Sequence, residues 1–102
     1  MLEKRIETNT CERVLHELGV ASAKLATPGR RGIPDRIFWL PGGIPLMIEF
    51  KRPGEEPRPL QSHIHALLKQ LGYLVEVHDN EDEAFESVRR TLEAAQLPKD
   101  RS

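Results

Sequence analysis

Apolar residues recur every three or four positions in three parts of this chain, which is the spacing of an amphipathic helix. These parts span about residues 3–18, 60–71 and 80–92. Gly19 and Gly72 directly follow the first two, and glycine is the residue that most often ends a helix. The pattern therefore predicts three helices.

The first and third helices carry further signals. On the first helix Cys11 shares an apolar stripe with Val14, Leu15 and Leu18, so we expect it in the core as a small hydrophobic residue. Asn80 followed by Glu83 has the spacing of a capping box at the start of the third helix. Pro98 is expected to end that helix.

Between the helices lie extended segments. Residues 36–40 and 45–51 flank the turn Pro41-Gly42-Gly43 and read as a β-hairpin, and shorter strands are expected at 23–26 and 73–77. Along the second hairpin strand one face carries Leu46, Ile48 and Phe50, and the other carries Met47, Glu49 and Lys51. The order of elements is αβββαβα.

Length and composition indicate one small domain, residues 1–97, followed by a short tail at 98–102. The chain has 102 residues and one cysteine, which excludes an intramolecular disulfide. No segment approaches the length of a signal peptide or a membrane span, so we expect a cytoplasmic protein without a membrane partner.

Charge is distributed unevenly, although the formal net charge is only −1. Basic residues outnumber acidic ones between residues 24 and 69, and the balance inverts after residue 70. Arg30 and Arg31 lie just before the hairpin, and Arg52 and Arg58 follow it. Because guanidinium groups match the geometry of phosphate, we predict that these arginines contact DNA.

The hairpin should bring acidic groups together. If it returns Glu49 to the start of the first strand, Asp35 arrives beside it, with Lys51 on the same face. Two carboxylates between apolar neighbours need compensation, and Mg²⁺ characteristically takes one or two carboxylates and leaves positions for water and phosphate. An edge strand with a surface Glu/Lys pair is the simpler alternative, but the added Gly-x-Pro-Asp favours a metal site.

Taken in order, Gly32-Ile33-Pro34-Asp35, Glu49-Phe50-Lys51 and Gln61 resemble the VRR-NUC domains of the PD-(D/E)xK nuclease superfamily. The resemblance covers nearly the whole chain. It implies an α/β fold, in which a small mixed β-sheet is flanked by helices in a restriction-endonuclease-like αβββαβα core.

The resemblance also implies roles for particular residues. Asp35, Glu49 and the carbonyl of Phe50 would bind Mg²⁺ or Mn²⁺, Lys51 would be catalytic, and Gln61 would support the site. A glutamate of the first helix belongs to the same set. Glu3 fits the family pattern, whereas helical geometry favours Glu7, so either glutamate could be the N-terminal ligand.

Two functions follow as expectations. The first is a metal-dependent DNA endonuclease of phage or bacterial origin, acting as a homodimer on branched DNA such as four-way (Holliday) junctions, with a role in DNA repair. The second is a non-catalytic DNA-binding or assembly module that retains the fold. The resemblance, rather than chemistry, suggests the branched substrate.

Two histidines and two aromatic residues are further candidates for metal or nucleic-acid binding. His63 and His65 are two positions apart on a helix, so they point to different faces and do not form a zinc site. We expect both at the surface or its boundary. Trp39 and Tyr73 are expected in the core, although an exposed Trp39 could stack on a base.

Overall fold

The computed structural model describes residues 2–25, 29 and 31–96. The elements along the chain are α1 (Leu2–Leu18), β1 (Ser22–Lys24), β2 (Arg36–Leu40), β3 (Ile44–Phe50), α2 (Pro59–Gln70), β4 (Leu74–His78) and α3 (Glu81–Gln96). This confirms the predicted αβββαβα order and the α/β class. Pro98 and the predicted tail lie outside the described residues.

The four strands form one mixed sheet in the order β1-β2-β3-β4. β1, β2 and β3 run antiparallel, and β4 runs parallel to β3. The hairpin is confirmed, with Arg36 opposite Ile48 in its register. Gly42 and Gly43 have φ of 81° and 73°, which only glycine adopts without strain, so the turn depends on them. Asp35 therefore enters β2 beside the end of β3.

The two faces of the sheet are covered differently. One face packs on α1 and α3, where the core residues include Phe38, Leu46, Ile48, Phe50, Val14 and Val88. Alternate residues of β3 point to the other face, where Met47 lies near Ile64 of α2. A single helix covers this second face, so part of it stays open to solvent.

Local signals account for the helix ends. At the end of α1 the Gly19 N–H donates to the Leu15 carbonyl at 3.1 Å, and Gly19 has φ of +69°. At the start of α3 the Glu83 N–H donates to Asn80 Oδ1 at 3.0 Å, as the capping pattern predicts. No helix in the described residues is both long and apolar enough to span a membrane.

Three burial predictions for apolar residues are wrong. Leu15 is 53% exposed, because α1 buries the stripe of Ile6, Thr10 and Val14 and Leu15 lies beside it, whereas Cys11 packs partly buried against the core. Trp39 is 54% exposed on the face that α2 covers only in part. Tyr73, in the tight turn before β4, is also exposed.

The prediction for the histidines is half wrong. His63 is exposed as expected, but His65 is only 5% exposed. Its side of α2 faces the sheet, and the local sequence pattern does not show how closely that helix approaches.

Candidate active site

The hairpin brings Asp35 to the end of β3. Asp35 stands one residue before β2, and its Oδ2 accepts a hydrogen bond from the Phe50 N–H at 2.7 Å. This short bond to a carboxylate fixes the aspartate against the neighbouring strand. The predicted meeting of Asp35 with the Glu49-Phe50-Lys51 segment is therefore present in the structure.

Glu49 lies at the centre of the site, with 3% of its surface exposed. Its Oε2 accepts a hydrogen bond from Gln61 Nε2 at 2.8 Å and lies 3.5 Å from Lys51 Nζ. Its other oxygen, Oε1, is buried and has no hydrogen-bond partner within the described chain. Such an atom is costly unless something outside the protein binds it.

The two carboxyl groups resist ionisation together. Burial, followed by the negative charge of Asp35, raises the pKa of Glu49 to about 7, and Lys51 and Gln61 oppose the rise. Burial also raises the pKa of Asp35, against the hydrogen bond from Phe50. A cation between them would remove this penalty, since an opposite charge favours the ionised forms.

Lys51 and Gln61 are both held in place by backbone contacts. The Lys51 N–H donates to the His78 carbonyl at 3.0 Å, which continues the pairing of β3 with β4. Gln61 Oε1 accepts from the Arg58 N–H at 2.9 Å while its amide nitrogen donates to Glu49. Gln61 thus connects the start of α2 to the buried carboxylate.

The loop before Asp35 rests directly on α2 at Gly32. This glycine has φ of +85°, and a Cβ there would lie 2.9 Å from Ile64 Cγ1 and 3.0 Å from the Leu60 carbonyl oxygen. A glycine permits such a close approach because it has no side chain. In the structure its close neighbour is α2.

The two N-terminal candidates have cationic partners. Glu7 is buried, and its Oε2 lies 2.7 Å from Arg36 Nε and 3.4 Å from Lys24 Nζ. Glu3 Oε1 lies 3.4 Å from Arg52 Nε. The charge of Glu7 contributes to the raised pKa of Asp35, so Glu7 lies within electrostatic reach of the site. Among the described residues no group of three or more His, Cys, Asp or Glu side chains is arranged to hold a metal.

The arginines predicted to bind DNA are split between two places. Arg31 and Arg58 line one surface pocket of about 470 Å³ together with Gln61. Arg52 is exposed and reaches toward α1, where it meets Glu3. Arg30 lies outside the described residues.

Sequence reasoning missed the burial of His65 and the Arg36–Glu7 ion pair. The spacing of four residues places His65 on the same helix face as Gln61, but it does not show that this face lies against the sheet. The ion pair joins residues 29 positions apart, and no local pattern predicts it.

Comparisons with known proteins agree with this geometry. The chain is 42% identical over 80 residues to a protein named "Putative nuclease p44" from Acyrthosiphon pisum secondary endosymbiont phage 1, an alignment that covers 78% of this chain and 85% of that protein. A solved structure described as a VRR_NUC domain superposes with a TM-score of 0.76 at 28% identity, covering 87% of this chain and 96% of the other. A scan against models of protein families gives no match.

Proposed function

This chain belongs to the VRR-NUC family of nucleases, and from that membership we propose that it is a divalent-metal-dependent endodeoxyribonuclease, which hydrolyses phosphodiester bonds within DNA. The observation that carries the proposal is the arrangement of Asp35, Glu49 and Lys51 at the end of β3, with one buried oxygen of Glu49 unbound. A buried carboxylate oxygen without a partner is unfavourable, and a bound cation would remove that penalty.

The donor set fits Mg²⁺ or Mn²⁺. Asp35, Glu49 and the carbonyl of Phe50 would hold the ion, and all three are oxygen donors, which hard cations prefer. When bound, the metal supplies Lewis acidity and a more acidic water. The raised pKa of both acids supports this assignment, because each lacks a full counter-charge in the protein alone.

Lys51 is the catalytic cation in this proposal. Its ammonium lies on the same face as Glu49, where it can orient the attacking water or offset negative charge that develops on the phosphate. Gln61 acts on Glu49 and holds it in one orientation through the 2.8 Å hydrogen bond. Asp35 is held in the same way by Phe50.

Of the two N-terminal glutamates, Glu7 has the stronger support as the additional acid. It is buried and electrostatically coupled to Asp35, whereas Glu3 pairs with the exposed Arg52. The ion pairs of Glu7 with Arg36 and Lys24 would have to open before it could contact a metal directly.

DNA would be held by the exposed arginines beside the site. Arg31 and Arg58 share a pocket with Gln61, so a phosphate bound there would lie next to the catalytic groups. Arg52 would contact DNA on the α1 side once it leaves Glu3. Arg30 belongs to the same proposal on the sequence alone.

The preference for branched DNA and the homodimer are finer proposals that rest on the family resemblance. A two-fold dimer would present two active sites to two strands of a junction. Support for a second copy comes from three exposed apolar residues: Leu67 and Leu71 at the C-terminal end of α2, and Trp39 on the sheet face that α2 covers incompletely. Resolution of four-way junctions would place the enzyme in DNA repair or recombination.

The test is cleavage of labelled linear, flapped and four-way DNA with and without Mn²⁺. We expect Mn²⁺-dependent cleavage that is abolished in Asp35→Ala and Glu49→Ala but retained in Asp82→Ala, a control aspartate whose side chain is 86% exposed on α3. Calorimetric titration with Mn²⁺ should show weaker binding in the two active-site variants. Undiminished metal binding in both would contradict the ligand assignment.

Light scattering and dilution test the finer proposals. We expect a dimer, and junction cleavage should fall when dilution separates the subunits. A monomer that cuts linear and four-way DNA equally well would contradict the junction and dimer proposals and leave the nuclease proposal standing. DNA binding without any cleavage would instead favour the non-catalytic module.

A further inference from the structure

Two cationic side chains share a single carboxylate on the α1 side of the active site. Arg36 Nε donates to Glu7 Oε2 at 2.7 Å, and Lys24 Nζ lies 3.4 Å from the same oxygen. Glu7 is 5% exposed, and a buried carboxylate needs a counter-charge, which the short bond from Arg36 already supplies. Lys24 therefore adds a positive charge beyond the one that Glu7 requires.

Backbone pairing places both cations next to Asp35. Lys24 lies opposite Arg36 in the antiparallel register of β1 and β2. Arg36 directly follows Asp35 in the chain, and the Leu25 N–H donates to the Asp35 carbonyl at 3.0 Å. The pairing of β1 with β2 thus continues to Asp35, and the two cations are carried by adjacent strands where the active site begins.

The cations lie on the sheet face opposite to the one that bears Glu49. Residues paired across antiparallel strands share a face, so Lys24 and Arg36 lie on the face of Ile48. That face packs against α1 and α3. Glu49 follows Ile48 and points to the other face, where Gln61 of α2 donates to it. The active site therefore has this cationic pair on its α1 side and helix α2 on its other side.

Both side chains can bind a further anion. Arg36 uses Nε for Glu7, and its remaining guanidinium donors have no hydrogen-bond partner in the described part of the chain. The side chain of Lys24 is 55% exposed and that of Arg36 is 21% exposed. Within the same residues, Glu7 is the one carboxylate that forms an ion pair with either cation. A guanidinium beside an exposed ammonium, with surplus positive charge, suits a phosphate.

We propose that Lys24 and Arg36 form a second phosphate-binding subsite, which binds a DNA backbone phosphate next to the one that is cleaved. The strand would pass from the pocket of Arg31 and Arg58, across the proposed metal site, to this pair on the α1 side. Such contacts set the register of DNA without reading its sequence. That the ligand is the substrate rests on the proposed nuclease function, but affinity for DNA phosphate can be measured without cleavage.

The first experiment measures binding of labelled duplex DNA over a range of salt concentrations, in chelator so that no metal-dependent cleavage occurs. Lys24→Gln should reduce the slope of log affinity against log salt by about 0.9, the value for one duplex phosphate. Lys69→Gln removes an exposed lysine from the last turn of α2, the end away from Gln61, and should leave the slope unchanged. An unchanged slope in Lys24→Gln would overturn the subsite.

The second experiment separates a phosphate subsite from a pair that only neutralises Glu7. Glu7→Gln leaves both cations available to phosphate, so DNA affinity in chelator should rise at least about threefold. Adding Arg36→Gln should cancel this gain. The double variant is used because Arg36→Gln alone would leave Glu7 buried without its main counter-charge.

The matched control for Glu7→Gln is Glu17→Gln, which removes an exposed carboxylate from the same helix and should raise the affinity less. Urea unfolding shows that each variant is folded. Wild-type affinity in folded Glu7→Gln would contradict a phosphate subsite, because the pair would then serve Glu7 alone.

The third experiment locates the subsite by single-turnover cleavage with Mn²⁺, on a DNA whose cut has been mapped. One phosphate on either side of the cut is replaced by a neutral methylphosphonate. On one side this change should slow wild type several-fold more than Lys24→Gln, because that variant has already lost the contact. Equal slowing of the two proteins on both sides would refute the placement next to the cleaved phosphate.

The experiments distinguish the two possible failures. If the wild-type protein cleaves no DNA, the proposed function fails, and the binding measurements still decide whether Lys24 and Arg36 bind phosphate. If the wild-type protein cleaves DNA while Lys24→Gln and Glu7→Gln bind it as wild type does, the subsite fails and the nuclease function stands.

Discussion

Removing the charge of Glu49 should make the metal-free protein more stable above neutral pH. Glu49→Gln keeps an oxygen that can accept from Gln61 but cannot ionise. Burial and Asp35 raise the pKa of Glu49 from 4.5 to about 7, and each pKa unit corresponds to about 1.4 kcal/mol. Ionised Glu49 therefore destabilises the fold by up to about 3 kcal/mol at pH 8.

The sign of the pH dependence follows from the direction of the shift. Because the pKa is raised in the folded state, folding favours the protonated carboxyl, and that stability is fully present below the unfolded pKa of 4.5. It is lost as the pH rises toward about 7 and stays lost above it. The advantage of Glu49→Gln should thus be small at pH 4.5 and largest at pH 8.

Urea unfolding of wild type and Glu49→Gln at pH 4.5, 6 and 8, in the presence of a metal chelator, measures this pH dependence directly. The difference in unfolding free energy should grow with pH at an unchanged m-value. Other titrating groups, including His65, are present in both proteins and largely cancel in the difference. A variant that is equally or less stable than wild type at pH 8 would show that Glu49 is not held against its ionisation.

Three further predictions follow from the same contacts. Lys51→Ala should lower the single-turnover rate by orders of magnitude with little change in DNA affinity, and a rate within about threefold of wild type would make the lysine incidental. Gly32→Ala should lower the unfolding free energy by about 2–4 kcal/mol, because Gly32 has a positive φ and an added Cβ would clash with α2. Gly43 also has a positive φ, but no atom lies within 4 Å of a Cβ built there. Gly43→Ala should therefore lower the unfolding free energy by only about 1–2 kcal/mol. Replacing Arg31 and Arg58 together by alanine should weaken binding to all DNA sequences alike and reduce the salt slope by about 0.9 for each phosphate that is no longer neutralised; an unchanged slope would remove them from the DNA surface.

The sequence predicted those features that depend on neighbours along the chain. The hairpin followed from alternation on either side of Pro41-Gly42-Gly43, and this alone placed Asp35 next to Glu49. The capping of α3 by Asn80 followed from spacing. These are short-range effects, so a local pattern is enough to reveal them.

Features that depend on how helices cover the sheet were not predictable in this way. The exposure of Trp39 arises because one helix covers a face that spans four strands. The burial of His65 depends on the approach of α2 to the sheet, to which contacts of Gly32 and Gln61 from distant positions contribute. The pairing of Glu7 with Arg36 likewise joins separate elements.

The hydrogen bond from Phe50 to Asp35 gives the protein a built-in spectroscopic reporter. An amide proton held 2.7 Å, donor to acceptor, from a carboxylate resonates at an unusual frequency that depends on the charge of that carboxylate. Phe50 has a single backbone amide, and it lies beside the two carboxylates that are proposed ligands. One cross-peak in a two-dimensional spectrum would therefore follow protonation and ion occupancy of the site, without DNA, turnover or any added label beyond ¹⁵N.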